Sequence, residues 1–348
     1  MKFLKITFMI VSLFWVACEG LLIGEDPVNS PEDNFQILWD EFDRWYAGFI
    51  VRNIDWDSLY TVYRPQVTPQ TSDAELWDIV TAMLNHLDDL HTDIRDIDRG
   101  MFFDAYYTLK PPYPKEFNLN AIKENYLNNM YQLAGEGRLL YGQLTDQIGY
   151  IYIENFKGRK SSFDPPEWAE DIDRIISQFE NLKGLIIDIR HAIGGEDLTA
   201  LRLAGAFADA KRFVFTVQTR NGPEHDDFDE PIKRYVEPLG PKQFTKPIVL
   251  ITDYATPSAA EAFALSMASL PHVTHIGDST AGAHSAQSNA RYLPNGWVYH
   301  MSHQLTKTPD GRSPEGIGVV PDILISNTEA EIRAGTDKVL EFAIDYLN

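Results

Sequence analysis

Apolar residues in the first third of the chain recur every three or four positions, the spacing of one buried helix face. Between residues 34 and 51 the apolar face is strongly aromatic: Phe35, Leu38, Trp39, Phe42, Trp45, Tyr46 and Phe49. A second apolar face runs to Leu90 and is opened by Ser72-x-x-Glu75, a pattern typical of a helix N-terminus. These patterns predict a small helical N-terminal domain over residues 34–100.

The pattern changes at residue 148, after a connecting segment over residues 101–147. Buried strands are predicted at 148–153, 184–190, 212–218 and 247–252, and helices at 168–182, 197–207 and beyond residue 258. Strands that alternate with helices predict βαβ units and a largely parallel sheet, hence an α/β domain over residues 148–348. We expect a surface loop at 221–245, a hairpin at 293–297 leading into a strand at 298–305, edge strands at 316–320 and 322–326, and a helix at 331–346.

The N-terminus has the features of an export signal. Lys2 and Lys5 precede an apolar run, Ile6–Ala17, which is too short to span a membrane comfortably. A small residue followed by Cys18 resembles the lipobox of bacterial lipoproteins. We therefore predict a signal peptide over 1–17, a lipid on Cys18, a tether over 18–33 and a place in the bacterial cell envelope. An ordinary signal peptide and an uncleaved anchor are the alternatives.

The composition of the chain limits the classes of partner that it can bind. The formal net charge of −21 argues against nucleic acid or anionic lipid as the main partner, so we expect membrane contact only through the lipid anchor. One cysteine leaves no intrachain disulfide and no thiolate metal cluster.

The segment Pro247–Phe263 carries the most suggestive chemistry. An apolar β-branched run is followed by a tight turn and an alanine-rich helix, which places Ser258 where a buried strand meets a helix. A hydroxyl there lies beside backbone N–H groups that have no partner in the helix. Ser258-x-x-Glu261 is also a capping box, while Pro257 favours Thr256 as the cap and leaves Ser258 free. The segment alone favours a helix cap.

Six segments, in this order, resemble the serine peptidases that comprise the bacterial C-terminal processing (tail-specific) proteases and the tricorn core protease. They are Leu87-Asp-Asp-Leu-His-Thr92, Gly149-Tyr-Ile-Tyr-Ile153, Asp188-Ile-Arg-His-Ala-Ile-Gly-Gly195, Thr256-Pro-Ser-Ala-Ala-Glu261, Gly277-Asp-Ser-Thr-Ala-Gly282 and Glu315-Gly-Ile-Gly-Val-Val-Pro-Asp322. The resemblance implies the ββα spiral fold of the ClpP/crotonase superfamily for the catalytic domain.

The resemblance also implies a catalytic set. Tail-specific members use a Ser–Lys dyad, but the position of that lysine is Ala283 here. Tricorn-like members use Ser, His and Glu, which match Ser258 as nucleophile, His91 as general base and Glu315 as orienting acid. A serine needs a neutral imidazole to accept its proton, and a carboxylate fixes the tautomer of that imidazole.

The oxyanion of the reaction is expected between the N–H of Ala259 and that of Gly194 or Gly195. Ala192 stands where the family usually has Asn, so the polar surroundings of that turn are expected to differ. The 149 − 91 = 58 positions from His91 to Gly149 are too few for a PDZ module of roughly 80–100 residues. A peptide or unfolded protein is the expected substrate, with no cofactor and no metal.

Other histidines are candidates for metal binding or substrate contact. The pairs His272/His275 and His300/His303 lack a third ligand at a recognisable spacing, which disfavours zinc. His284 is a candidate substrate contact. A catalytically silent peptide- or apolar-ligand-binding lipoprotein on the same scaffold is the alternative function, and a surface lipoprotein of structural role ranks third. The peptide preferred, endo- or exo-cleavage and the oligomeric state stay open.

Overall fold

A computed structural model describes residues 28–105, 117–158, 160–161 and 164–348. The predicted signal peptide over 1–17 and Cys18 lie outside the described residues, as do parts of the predicted tether and connecting segment. Among the described residues, no helix is long and apolar enough to cross a membrane.

Four helices form the N-terminal region: α1 (Pro31–Trp45), α2 (Phe49–Arg52), α3 (Trp56–Tyr63) and α4 (Asp73–Leu84). The capping box predicted at Ser72 is present, with the Glu75 carboxylate accepting the Ser72 N–H at 2.8 Å. The aromatic face of α1 is buried, because Phe35, Leu38 and Phe42 are fully enclosed. This packing confirms the predicted helical N-terminal region.

The remaining helices lie in the second part of the chain: α5 (Leu119–Ala121), α6 (Asp171–Phe179), α7 (Asp197–Gly205), α8 (Ala259–Ala268), α9 (Glu329–Arg333) and α10 (Lys338–Leu347). The predicted helix over 331–346 is therefore two helices. Gly335, with φ +78°, lies between them in a left-handed conformation that ends the first helix.

The strands are β1 (Asp93–Asp96), β2 (Met101–Asp104), β3 (Tyr131–Ala134), β4 (Leu139–Gln143), β5 (Ile148–Ile153), β6 (Asn155–Phe156), β7 (Gly184–Asp188), β8 (Ile193–Gly195), β9 (Arg212–Thr219), β10 (Ile232–Val236), β11 (Ile248–Thr252), β12 (Val273–Gly277), β13 (Arg291–Tyr292), β14 (Val298–His300), β15 (Gln304–Lys307) and β16 (Ile323–Leu324).

The main sheet has seven strands in the order β16-β12-β11-β7-β5-β4-β3. Strands β16 to β5 run parallel, and β4 and β3 add an antiparallel edge. Every residue of β5, β7 and β11 is buried, because helices cover both faces of the sheet. On β7, Leu185 and Ile187 pack on one core while Ile186 packs on the other. The predicted α/β class and largely parallel sheet are confirmed.

Besides the two-stranded sheet β6-β8, two further small sheets are present. One has the order β13-β14-β1-β2 and joins the N-terminal region to the hairpin near residue 295, and the other has the order β10-β9-β15. The strand predicted over 298–305 is divided between them. The predicted loop at 221–245 contains strand β10, and the predicted edge strand at 316–320 is absent because Gly316 and Gly318 have φ values of +72° and +85°.

Candidate active site

Ser258 lies in a strained turn between β11 and α8. Its backbone has φ +62° and ψ −130°, a conformation that costs a residue with a side chain on the order of 1–3 kcal/mol. Thr256 holds the turn, with its hydroxyl 3.0 Å from both the Ile189 carbonyl oxygen and an Asp253 carboxylate oxygen. Helix α8 begins at Ala259, so the alternative in which Thr256 caps the helix is wrong. Ser258 takes the cap position with a backbone far from the extended form usual for a capping serine.

Glu261 fastens this turn to the loop that follows β12. Its buried carboxylate accepts N–H groups of Ser258 (3.1 Å), Gly282 (2.9 Å) and Ala283 (2.8 Å), and the Thr280 hydroxyl (2.6 Å). Burial raises the pKa of Glu261 to about 6. The capping-box pattern thus identified a real contact between Ser258 and Glu261. The Glu261 carboxylate, however, holds the backbone of Ser258 and the loop after β12 together.

Gly194 lies against Ser258, Gly195 lies against the backbone of Phe156, and neither position has room for a side chain. A Cβ on Gly194 would lie 2.4 Å from the Ser258 Cβ and 3.0 Å from its Oγ. A Cβ on Gly195 would lie 2.2 Å from the Phe156 carbonyl carbon, and φ there is +150°. The Ala259 N–H begins helix α8 and has no carbonyl partner within it. Gly194 and Ala259 therefore lie beside Ser258, and Gly195 lines the same cavity; the role of these three amides as an oxyanion hole stays a prediction.

His91 comes from the turn before β1 and shares a cavity with Ser258. The cavity measures ≈ 590 Å³, and Gly195 also lines it. The His91 backbone N–H donates to Asp89 Oδ1 at 3.0 Å, and its carbonyl accepts from the Gln287 amide at 3.2 Å. The imidazole Nδ1 is buried without a partner among the described residues. No hydrogen bond within the described part of the chain joins the Ser258 hydroxyl to His91.

Glu315 lies behind the cavity, with 3% of its surface exposed. Its carboxylate accepts the Ser285 N–H and pairs with Arg52 at 3.0 Å. Among the described contacts none joins Glu315 directly to the His91 imidazole. The structure therefore brings Ser258, His91 and the glycines together and places Glu315 one layer deeper. Its orienting role stays a prediction.

Arg52, which the sequence patterns did not single out, connects these parts. Its guanidinium also donates to the Asp88 carbonyl and, at 3.1 Å, to the Gly282 carbonyl, and it lies 4.0 Å from Asp89. The negative groups around it raise its pKa despite burial, which alone would lower it. Arg52 thus holds the His91 turn and the loop beside Ser258 in one place. Only its position at the end of an aromatic helix, where a buried cation is unexpected, could have drawn attention to it.

His284 lies in the same cavity as Ser258. Its side chain is fully buried, with Nε2 3.4 Å from Asp197 Oδ1. Burial lowers the pKa of His284, but the carboxylates of Asp197, Glu261 and Glu315 together raise it above the ordinary value. The prediction that His284 contacts substrate stays open, since the cavity is the place where a substrate would lie.

The other histidine pairs make separate contacts. His275 is buried, its Nε2 lies 2.6 Å from the Thr252 hydroxyl, and burial lowers its pKa to about 4. His272 instead contacts the Phe207 carbonyl at 3.0 Å. Within the described residues, no group of three or more His, Cys, Asp or Glu side chains is arranged to hold a metal ion.

Comparisons with known proteins agree with this geometry. Residues 147–325 match the model of peptidase family S41, and residues 27–85 match the tricorn protease C1 domain. The carboxy-terminal-processing protease of Bartonella bacilliformis is 29% identical over 193 residues, which make up 56% of this chain and 42% of that protein. The carboxy-terminal processing protease CtpA of Bacillus subtilis is 27% identical over 185 residues, 53% of this chain and 36% of that protein. The chain thus spans less than half the length of these relatives.

A solved structure matches over nearly the whole chain. The crystal structure of a putative peptidase from Parabacteroides merdae superposes with a TM-score of 0.82 at 31% sequence identity, covering 92% of this chain and 97% of the other. The shared fold includes the helical N-terminal region as well as the parallel sheet. Together with the match over residues 147–325, which is just over half of the chain, this likeness shows that the chain belongs to peptidase family S41.

Proposed function

We propose that this chain is a serine peptidase that hydrolyses peptide bonds through an acyl-enzyme. The observation that carries the proposal is a strained Ser258 that shares one cavity with a His91 imidazole whose Nδ1 is unpartnered among the described residues. Strain of this kind is retained where a side chain must be presented for chemistry. The family relationship supports the same activity.

In the proposed reaction, Ser258 Oγ attacks the carbonyl carbon of the substrate as its proton passes to the His91 imidazole. The C–N bond then breaks, and the imidazolium returns the proton to the leaving amine. A water molecule releases the acyl group by the same steps in reverse. N–H groups of Ala259 and of Gly194 or Gly195 stabilise the oxyanion, and one such donor typically contributes about 10²–10³ in rate.

Glu315 acts in this proposal as the orienting acid. In the resting arrangement its charge reaches the His91 turn through Arg52, which lies between Glu315 and Asp89. Binding of substrate would draw the Ser258 hydroxyl and the imidazole into hydrogen-bond contact, because such contacts are commonly long in the absence of substrate.

Peptides or unfolded proteins are the proposed substrates, since the cavity is open to solvent and lined mainly by polar side chains. We also propose that the protein is exported and carries a lipid on Cys18. The basic segment, short apolar run and cysteine at the N-terminus support this proposal. Incorporation of labelled palmitate in the wild type, and its loss in Cys18→Ala, is the expected result.

The activity is tested by labelling the purified protein with a fluorophosphonate and mapping the adduct by mass spectrometry. We expect an adduct on Ser258 that disappears in His91→Ala, and casein hydrolysis that is lost in Ser258→Ala. Ser269→Ala serves as the matched control, because this serine lies at the other end of α8, where its hydroxyl donates to a backbone carbonyl. Equal hydrolysis by wild type and Ser258→Ala would refute the mechanism. A folded wild type without an adduct would favour the ligand-binding alternative.

A further inference from the structure

Arg234 is a cavity residue that the proposed reaction does not use. It lies on β10, where it pairs in register with Phe215 of β9. The Phe215 ring in turn contacts the His284 ring edge to face, with 4.9 Å between the centroids. The cavity that contains Ser258 is lined by Arg234 as well. One face of the small sheet β10-β9-β15 therefore brings this guanidinium to the nucleophile's cavity.

The guanidinium of Arg234 has no partner in the part of the chain that the structure describes. Its Nε is buried and makes no hydrogen bond, and no ion pair involves the residue. Arg52, which does not line the cavity, behaves differently, because Glu315 and Asp89 satisfy its charge. Two carboxylates line the cavity: Asp197 contacts His284, and Glu196 has an interaction of its own. An arginine in a chain of net charge −21 that still lacks a counter-ion is available to a ligand.

We propose that Arg234 binds a carboxylate of the peptide substrate. This proposal rests on the proposed peptidase function and names the class of substrate that the site takes. The planar guanidinium matches a carboxylate with two parallel hydrogen bonds, and a bound carboxylate would satisfy the buried Nε–H. Desolvated donors without partners are costly, so the pairing gains more here than on an open surface.

The distance to the nucleophile limits where that carboxylate lies. Cross-strand neighbours are about 5 Å apart, and one further ring contact of 4.9 Å joins Phe215 to His284. The carbonyl of Ala283, the residue before His284, accepts the Ser258 N–H at 3.0 Å, which links this path to the nucleophile. An extended peptide advances about 3.3 Å per residue. The carboxylate therefore lies within about three residues of the bond that is cut. It is either an Asp or Glu side chain or the C-terminal α-carboxylate of a short peptide.

The test measures binding to Ser258→Ala, which needs no catalysis. Three hexapeptides of alanine and leucine with a neutral fluorescent label serve as probes. The first has an internal glutamate and an amidated C-terminus, the second an internal glutamine and a free C-terminus, and the third an internal glutamine and an amidated C-terminus. We expect one of the charged peptides to bind roughly 10- to 100-fold more tightly than the neutral one. Preference for the first identifies a side-chain carboxylate, and preference for the second identifies the chain terminus.

Variants of the sheet decide whether Arg234 is responsible. Adding Arg234→Gln should abolish the preference, and Arg234→Lys should retain part of it. Lys233→Gln is the matched control, because Lys233 is exposed and, as the residue next to Arg234 in the strand, has its side chain on the opposite face of the sheet. Circular dichroism checks that each variant is folded. Equal binding of all three peptides, including no measurable binding, or a preference that survives Arg234→Gln, overturns the proposal.

Failure of this proposal is distinguishable from failure of the peptidase proposal. Arg234→Gln with Ser258 intact should still react with the fluorophosphonate, since the reagent carries no carboxylate. Absence of an adduct in the wild type would refute the peptidase mechanism, whereas the binding preference would still be measured. An adduct together with equal peptide binding would refute only the role of Arg234.

Discussion

Arg52 is the contact between the His91 turn and the loop beside Ser258, and its removal tests that interpretation directly. Arg52→Met keeps the length and much of the volume of the side chain but deletes the charge and all donors. Glu315 and Asp89 would then remain buried without their shared cation. Removing one partner of a buried ion pair typically costs 3–5 kcal/mol.

Hydrogen bonds that remain in Arg52→Met reduce the expected loss of stability. Glu315 keeps the Ser285 N–H, and Asp89 keeps the His91 N–H and the Thr92 hydroxyl. Three surviving donors place the expected loss near the lower limit, about 3 kcal/mol at neutral pH. Such a loss would leave a typical domain folded but measurably weaker.

The loss should depend on pH. Burial raises the pKa of Asp89, but attraction to Arg52 and further hydrogen bonds bring it below the ordinary value. A depressed acid contributes stability above its unfolded pKa, and that contribution is lost as pH falls through the folded pKa. Without Arg52, the largest effect that opposes burial is lost, so the pKa of Asp89 rises and Asp89 accepts a proton more readily in acid. The difference in stability between wild type and Arg52→Met should therefore shrink toward about pH 4.

Urea unfolding at neutral and acidic pH, and the rate of fluorophosphonate labelling, are the measurements. Arg52→Lys should recover part of both quantities because it restores the charge without the planar donors. Arg333→Met is the matched control, since Arg333 pairs with Glu329 at the surface with 76% and 52% of their side chains exposed, and a loss of at most about 1 kcal/mol is expected. If Arg52→Met is as stable as the wild type and is labelled at the same rate, the role assigned to Arg52 is refuted.

Three further predictions concern the neighbours of Ser258. Glu261→Gln should lower the melting temperature and slow labelling, because an amide nitrogen would face one of the four donors that the carboxylate accepts. Because the pKa of Glu261 is raised, wild-type stability should fall by about 2 kcal/mol as pH rises from the ordinary glutamate pKa through about 6. Glu261→Gln should remove this pH dependence, and denaturant titrations of both proteins across that range would show the difference. Asp197→Asn should lower the titration midpoint of His284, since the largest attraction that opposes burial is removed while Glu261 and Glu315 remain, and a midpoint unchanged by NMR would contradict this. Gly194→Ala should slow labelling at least about 100-fold with the fold retained, because its Cβ would collide with Ser258, and wild-type labelling would exclude the close approach.

Periodicity sufficed for the elements that bury a continuous apolar face. The strands at 148–153 and 247–252 and the helices of the N-terminal region follow from local pattern, because their burial is uniform along each element. Strand β10 was missed because only one of its five residues is buried, so an edge strand resembled a polar loop. The run over 298–305 was predicted as one strand because side-chain pattern does not reveal that β14 and β15 pair with different partners.

The candidate site divides in the same way. Ser258, His91 and Glu315 were found through short motifs, but the motif alone could not distinguish a helix cap from a strained turn. That distinction depends on φ at Ser258, which the packing of Gly194 and the four-donor contact of Glu261 impose. Arg52 and Arg234 were missed because each contacts segments that are distant in sequence. Arg52 contacts the Glu315 loop, and Arg234 pairs with the Phe215 strand.

The pairing of β1 with β14 has a consequence for how the protein becomes active during synthesis. Ile94 lies between Phe103 of β2 and Tyr299 of β14, so the strand that anchors the His91 turn gains its second partner only after about two hundred further residues have been made. Closing so long a loop is entropically costly and slow, and it happens after Ser258 has already been added to the chain. A nascent chain therefore carries a serine without its base. Under the proposed mechanism, the emerging polypeptide cannot cut itself or its neighbours until synthesis is almost complete.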